Sequence, residues 1–265
     1  MSNLNIGIMG ASGRMGRMLI QATLNHPNAT LAGAYVRSIS SLIGADAGEF
    51  IGAGRTGVAL STLSAQNLGV LIDFSLPEAL DEVLAQCIEH KVPLVMGVTG
   101  LNAEQEAKLK NAAQHIAIVY AGNYSTGVNL SLNLLATTAR VLGLNADVEI
   151  IEHHHKHKID APSGTALMMA RAVAESRGQQ LNNVLVHGRQ GSAKRELGQI
   201  GMHALRGGEI IGEHTVEFIM DGEIIEITHK AQSRATFATG AVRAAIWVAN
   251  QPAGLYDMKD VLGLQ

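Results

Sequence analysis

A short apolar run, Leu4 to Met9, ends in GASGRMG at 10–16, and RMLIQATLN then shows helical spacing through Met15, Leu19, Ile20 and Leu24. Strand, glycine turn and helix in that order confine the first half of the chain to an α/β plan, with a phosphate site expected at the turn. Gly10 permits the tight turn, Ser12 is small enough to leave the backbone open to a pyrophosphate, and Gly13 and Gly16 let the helix come close. The usual spacing is G-x-G-x-x-G, whereas these glycines fall at 10, 13 and 16, so a glycine turn without a ligand is the competing reading.

The units that follow repeat the theme. A second strand is expected over Thr30 to Val36, then GVLIDFS (69–75) with a helix from Pro77, PLVMGVTG (93–100) with a helix near Asn102, and HIAIVYAGNYS (115–125). Continuous β-branched runs alternating with helices indicate a doubly wound, Rossmann-like parallel sheet covered on both faces. Ligands bind beyond the carboxyl ends of such strands, which makes Phe74, Gly97 to Thr99 and Ala121 to Tyr124 candidate cofactor contacts; an ordinary strand-to-loop turn is the alternative at each. At the end of the second strand a carboxylate would hold the ribose of NAD, while an arginine accommodates the 2′-phosphate of NADP. This chain has Val36 followed by Arg37; a solvated surface arginine is the competing reading of Arg37, and it is the absent acid that makes NADPH expected in preference to NADH.

After TGVNLSLNLLATTARVL (126–142), which reads as a helix, longer strands replace the βα alternation and a second α+β domain begins. Asp147 to His153, 198–206, 209–220 and 223–231 are strand-like, the last two joined by Asp221-Gly222, a hairpin signal. They make an open mixed or antiparallel sheet whose face and edges need cover, and self-association through it is expected. From about Ala235 the pattern returns to helix, and this tail is expected to pack back on the first domain. The division is then 1–125 with 235–265 as a dinucleotide-binding domain and 126–234 as a substrate-binding and oligomerisation domain.

Composition removes several function classes. A formal charge of -3, with 20 Lys and Arg against 23 Asp and Glu, offers no footprint for nucleic acid. No window approaches eighteen uninterrupted apolar residues, so no membrane span is expected. The lone Cys87 and an N-terminus without a basic lead or cleavage site point to a reducing, cytoplasmic setting.

Chemistry concentrates in EHHHKHKIDAPSGTA, 152–166. Three readings compete. Histidines 153, 155 and 157 on a strand face, or 153 and 157 on a helix face, could bind a metal, but Lys156 and Lys158 would sit beside the cation. A polar surface loop without chemistry is the second reading. The third, which is preferred, is an acid and anion-binding loop: a histidine gives a proton near neutral pH, lysines bind a carboxylate, and Pro162, Ser163, Gly164 and Thr165 open a helix whose N–H groups and hydroxyls receive a second anion. A small, polyanionic substrate suits that arrangement.

With these residues in hand, the chain resembles the dihydrodipicolinate reductase (4-hydroxy-tetrahydrodipicolinate reductase) family nearly end to end. The resemblance is carried by GASGRMGR at 10–17, IDFSLPE at 72–78, GVTG at 97–100, AGNYSTGVN at 121–129, EHHHKHKIDAPSGTA at 152–166, GEHT at 212–215 and the run from Ser233. It implies NAD(P)H-dependent reduction of a cyclic imine dicarboxylate in lysine and diaminopimelate biosynthesis, by a homotetramer joined through the second-domain sheet. His154 falls on the family's proton donor, His155 on its substrate-binding histidine, Lys158 on its catalytic lysine, and Gly164 and Thr165 on its carboxylate-binding pair. On the cofactor side the resemblance implicates Gly10, Ala11, Ser12, Gly13, Arg14, Met15, Arg37, Gly97, Val98, Thr99, Ala121, Gly122, Asn123 and Tyr124, with Arg234 and Phe237 as hinge or cofactor candidates; no residue is implicated in metal binding. Val36, where many relatives carry an acid, and Val98, where GTTG is commoner, are departures from the pattern.

Overall fold

The computed structural model describes residues 3–264. In chain order these form β1 (Leu4–Met9), α1 (Arg14–Leu24), β2 (Ala29–Tyr35), α2 (Ala47–Ile51), β3 (Leu60–Ser61), β4 (Val70–Asp73), α3 (Leu80–His90), β5 (Leu94–Met96), α4 (Ala103–Ala112) and β6 (Ala117–Tyr120). There follow α5 (Thr126–Leu142), β7 (Asp147–His154), α6 (Gly164–Ser176), α7 (Leu181–Val184), β8 (Leu185–His187), β9 (Ile200–Arg206), β10 (Glu213–Met220) and β11 (Glu223–Lys230). The chain closes with α8 (Ala235–Val248), β12 (Gly254–Tyr256) and α9 (Met258–Leu262). Two compact units result, one running to Thr126 and taking back Ala235–Leu264, the other Gly127–Arg234. Among the described residues no helix is long and apolar enough to cross a membrane.

In the first unit the strands make a seven-stranded sheet of order β12-β6-β5-β4-β1-β2-β3. Every pairing in it is parallel. Strands β1 and β4 are neighbours although two strands separate them in sequence, so the chain reverses direction across the sheet at β1, and the crevice at their carboxyl ends is where such a fold takes its ligand. The runs without alternation earn their place: Ile6, Ile8, Leu71, Ile72, Leu94 and Val95 are all fully buried, as a sheet covered on both faces demands. Helix α1 buries Gly16, Leu19, Ile20 and Thr23. Leu24, expected on the same face, ends the helix and is 37% exposed. Helix α4 starts where Asn102 predicts, through a capping box in which the Asn102 Oδ1 accepts from the Gln105 N–H at 2.9 Å and the Gln105 Oε1 accepts from the Asn102 N–H at 3.0 Å.

The second unit is a five-stranded mixed sheet of order β11-β10-β7-β9-β8. Strand β10 runs antiparallel to β7 and β11, whereas β9 runs parallel to β7 and β8. Alternation decides its faces: Val148, Ile150, Glu152 and His154 of β7 are buried, and the residues between them lie on the other side. Helices α5 and α6 complete that core through Leu135, Ala139, Met169, Ala170 and Val173. The hairpin at Asp221-Gly222 is present, with Met220 opposite Glu223 and Gly222 at φ +93.

Several boundaries differ from the sequence reading. Strand β10 begins at Glu213 rather than 209, because its ladder with β7 starts where Glu213 faces His153, next to the end of β7. Pro162 lies at the entry to α6, one of the two places expected for it, and Ser163 is the N-cap. Elements α2, β3, α7, β8, β12 and α9 were not anticipated; with two to five residues each they are too short to display a period.

Candidate active site

The glycine turn after β1 is shaped by close approaches. Gly10 adopts φ +79. A β-carbon at Gly16 would stand 2.2 Å from the Gly10 carbonyl oxygen, so only glycine lets the first turn of α1 lie against the turn. Gly13 is the N-cap of α1 and brings no side chain to satisfy the first N–H groups, and the first turn carries no acid. An uncapped, acid-free helix start at the carboxyl end of a parallel sheet fits the pyrophosphate of a dinucleotide.

Four predicted contacts, Gly10, Ser12, Gly13 and Arg37, line one cavity of about 830 Å³, which also takes in Val36 and Phe74. Around it the remaining candidates divide. Arg14 is exposed in the first turn of α1, Met15 packs half-buried against the core, and the Ala11 side chain is buried within it. Gly97 leaves room for the Phe74 ring, which a β-carbon there would meet at 2.4 Å; Val98 is buried in the core and Thr99 is exposed. Ala121 is half-buried and Gly122 exposed, while the buried Asn123 accepts from the Ser125 N–H at 2.8 Å. Tyr124 is a core residue: its ring is fully buried against Phe74 and its hydroxyl lies 2.8 Å from the Met96 carbonyl and 2.9 Å from that of Val119, so its side chain is structural. Asp73, at the end of β4, went unnoticed in the sequence. It is fully buried, burial pushes its carboxyl up, and only Oδ1 has a partner among the described residues, the Ser75 N–H at 2.8 Å.

In the second unit the histidine run resolves into a buried pair and an exposed loop. His154 ends β7 and is 8% exposed, and its Nδ1 lies 2.5 Å from Oε2 of the fully buried Glu152. Arg206 of β9 sits opposite His154 in the ladder and grips both Glu152 oxygens, Nη1 to Oε2 at 2.8 Å and Nη2 to Oε1 at 2.9 Å. The Ser163 N–H donates to Oε1 at 2.9 Å. Burial pushes the Glu152 carboxyl up, but the bonds from Arg206, His154 and Ser163 outweigh it and hold the group below the ordinary carboxylate range. His154 is shifted down, by burial first; Glu152 counters that in part, and Lys158 and Arg206 add to it.

The loop residues have their own partners. Lys158 donates to the Asp160 Oδ1 at 2.8 Å, and Arg206 Nη2 reaches the Asp160 carbonyl at 2.6 Å. His155 approaches Arg234, Nε2 to Nη2 at 3.4 Å, so Arg234 lies against a substrate candidate. His157 and Lys156 both lie near Glu209, at 3.8 and 3.5 Å. Gly164 and Thr165 are the first two residues of α6, where N–H groups lack helical acceptors. The Ser163 hydroxyl, expected to face an anion, is instead committed: its Oγ accepts from the Ala166 N–H at 3.1 Å and lies 3.0 Å from the His214 Nε2. His214 is 4% exposed, and burial, then the neighbouring His154, brings it down to about 4. Glu152, Arg206 and His214 carried no assigned role in the sequence reading. The period-two spacing of Glu152 and His154 was the one available signal.

Comparison with known proteins decides the family. A profile described as the N-terminus of dihydrodipicolinate reductase matches residues 4–124, and one described as its C-terminus matches residues 127–262. The chain belongs to the dihydrodipicolinate reductase family. A relative from Psychrobacter arcticus named 4-hydroxy-tetrahydrodipicolinate reductase is 59% identical, covering 98% of this chain and 95% of the relative. One of the same name from Pseudoalteromonas atlantica is 51% identical and covers 98% of each. Among solved structures, a dipicolinate-bound dihydrodipicolinate reductase from Paenisporosarcina sp. TG-14 has the same fold, with a TM-score of 0.77 at 23% identity over 96% of this chain and 97% of that one.

Proposed function

We propose that this reductase converts 4-hydroxy-tetrahydrodipicolinate, by way of dihydrodipicolinate, to tetrahydrodipicolinate in lysine and diaminopimelate biosynthesis, with NADPH preferred over NADH. The observation that carries this reading is the match to both halves of the reductase family along a chain that keeps a buried histidine–carboxylate pair beside the 152–166 loop. When bound, the nicotinamide supplies hydride to C4 of the conjugated ring.

The chain's own residues do the rest. The Gly10, Ala11, Ser12, Gly13, Arg14 and Met15 turn receives the pyrophosphate on the N–H groups of Ser12, Arg14 and Met15, while those of Gly10, Ala11 and Gly13 donate to the Tyr35 and Gly10 carbonyls and hold the turn in shape; Arg37 receives the 2′-phosphate at the end of β2, where Val36 offers no carboxylate to repel it. Gly97, Val98, Thr99 and Ala121, Gly122, Asn123 and Tyr124 give further contacts at the carboxyl ends of β5 and β6. Lys158 holds one ring carboxylate, exchanging Asp160 for it, and the Gly164-Thr165 helix start holds the other, with His155 alongside. His154 holds a proton for C3, the carbon left electron-rich once C4 is reduced.

The assay follows NADPH absorbance with the product of dihydrodipicolinate synthase as substrate, with and without a chelator. Substrate-dependent, chelator-insensitive oxidation is expected, and its absence sinks the reading. In the same assay kcat/KM for NADPH exceeds that for NADH; the reverse ratio overturns the preference. The assembly we propose is a cytoplasmic homotetramer joined through the second-unit sheet, whose helix-free face presents Leu205 and Ile224, 44% and 57% exposed. A monomeric mass by light scattering at micromolar concentration contradicts it.

A further inference from the structure

Glu152 is more than a hydrogen-bond partner of His154. Four donors converge on its two oxygens: Arg206 Nη2 and the Ser163 N–H on Oε1, Arg206 Nη1 and His154 Nδ1 on Oε2. A carboxylate so saturated is ionised and cannot rotate. It only accepts, so the 2.5 Å contact places a proton on His154 Nδ1 and leaves Nε2 as the working nitrogen. The backbone forces the pairing: Glu152 and His154 are two apart on β7 and share a face, and Arg206 is the register partner of His154 on the parallel neighbour β9.

The other nitrogen meets little bulk. Where Nε2 points, Gly212 has no side chain, and a β-carbon there would come within 3.0 Å of it. Arg206 also fixes the loop, since its Nη2 holds the carbonyl of Asp160, whose side chain holds Lys158. One guanidinium therefore braces both the buried pair and the loop that bears the anion-binding lysine.

We propose that Glu152, clamped by Arg206, is the positioning residue that holds His154 as the Nδ1–H tautomer with Nε2 presented to substrate, and that this fixed carboxylate steadies the imidazolium that gives up the proton. The inference rests on His154 being the proton donor of the reaction proposed above. In that step the Nε2–H bond breaks and the C3–H bond forms; the N–H electron pair stays on Nε2 and the imidazolium becomes a neutral imidazole, already in the tautomer Glu152 prefers. Solvent then reprotonates Nε2. The charged and titratable groups facing the ring are Glu152 on its own strand, Arg206 on β9, His214 on β10 and Lys158 in the loop; Glu152 is the one anion among them.

Two measurements test this. The first is the pH profile of kcat for wild type, Glu152→Gln and Glu152→Asp. Activity needs protonated His154 and falls as pH rises through its pKa, so removing the anion shifts that limb to lower pH. Glu152→Gln is expected to lower kcat by about a hundred-fold, within the roughly 10²–10⁴-fold range of general acid catalysis, with KM changed only a few-fold. Glu152→Asp keeps the charge and is expected to hold the limb near that of wild type with an intermediate kcat. A Glu152→Gln limb superimposed on the wild-type limb overturns the proposal. The second is nitrogen-15 NMR of the histidine-labelled, full-length wild-type protein, which needs neither variant to fold. A neutral His154 protonated on Nδ1 supports the proposal, and one protonated on Nε2 overturns it. Wild type that fails to reduce the substrate defeats the functional reading, while the tautomer measurement is still read independently.

Discussion

The two candidate sites are built in opposite ways. In the first unit the phosphate turn is a backbone device, made by what Gly10, Gly13 and Gly16 lack and by an uncapped helix start. In the second unit the chemistry is a side-chain device in which hydrogen bonds join Glu152 to His154, Arg206 and Ser163, and Ser163 to His214, inside a mixed sheet. A backbone site needs only a short stretch of chain and tolerates variation in its neighbours. A side-chain site needs partners from distant strands, and losing one leaves another buried without its bond.

Substituting one glycine in each region puts that difference to the test. Gly16→Ala drives a β-carbon to 2.2 Å from the Gly10 carbonyl and 2.6 Å from the Ala11 backbone, atoms that cannot step aside. Destabilisation of about 1–3 kcal/mol or more by denaturant unfolding is expected, together with loss of NADPH binding. The nearest atoms to a β-carbon in Gly212→Ala are those of the His154 ring, from 3.0 Å. Stability should change by about 1 kcal/mol or less while kcat falls at least about ten-fold through displacement of Nε2. If the two variants behave alike, the division between backbone and side-chain devices is wrong.

A smaller effect separates the units by pH. His214 titrates near 4 in the folded chain against an ordinary histidine value of 6.5, because burial penalises its charge. The unfolded chain therefore binds the extra proton first, so this contribution to stability is complete above pH 6.5 and is lost as pH falls toward 4. It amounts to about 3 kcal/mol at most. His214→Gln should flatten the dependence of unfolding free energy on pH across that window; an unchanged slope would mean that His214 is not the group responsible.

The same contrast explains what could be read from the sequence. The parallel sheet, the glycine turn, the helix start near Asn102 and the hairpin at Asp221-Gly222 are local patterns, each spanning a few residues, and each is present. The loop at 152–166 was legible as chemistry because its composition is so unlike core. Its wiring was not. Glu152 meets Arg206 across 54 positions and Ser163 meets His214 across 51, and no period links such pairs. Ser163 shows the consequence: its hydroxyl reads as an anion ligand in sequence, yet it caps α6 and faces a buried histidine. Tyr124 shows it again, since a tyrosine at a strand end looks available until its hydroxyl is found on two carbonyls.

The central claim is that His154 gives the proton. Steady-state kinetics of His154→Gln with NADPH and the cyclic imine dicarboxylate tests it most directly, because a group that acts in the transition state raises kcat without tightening the ground state. The account predicts a fall in kcat of roughly 10²–10⁴-fold with KM changed only a few-fold. An essentially unchanged kcat would contradict it.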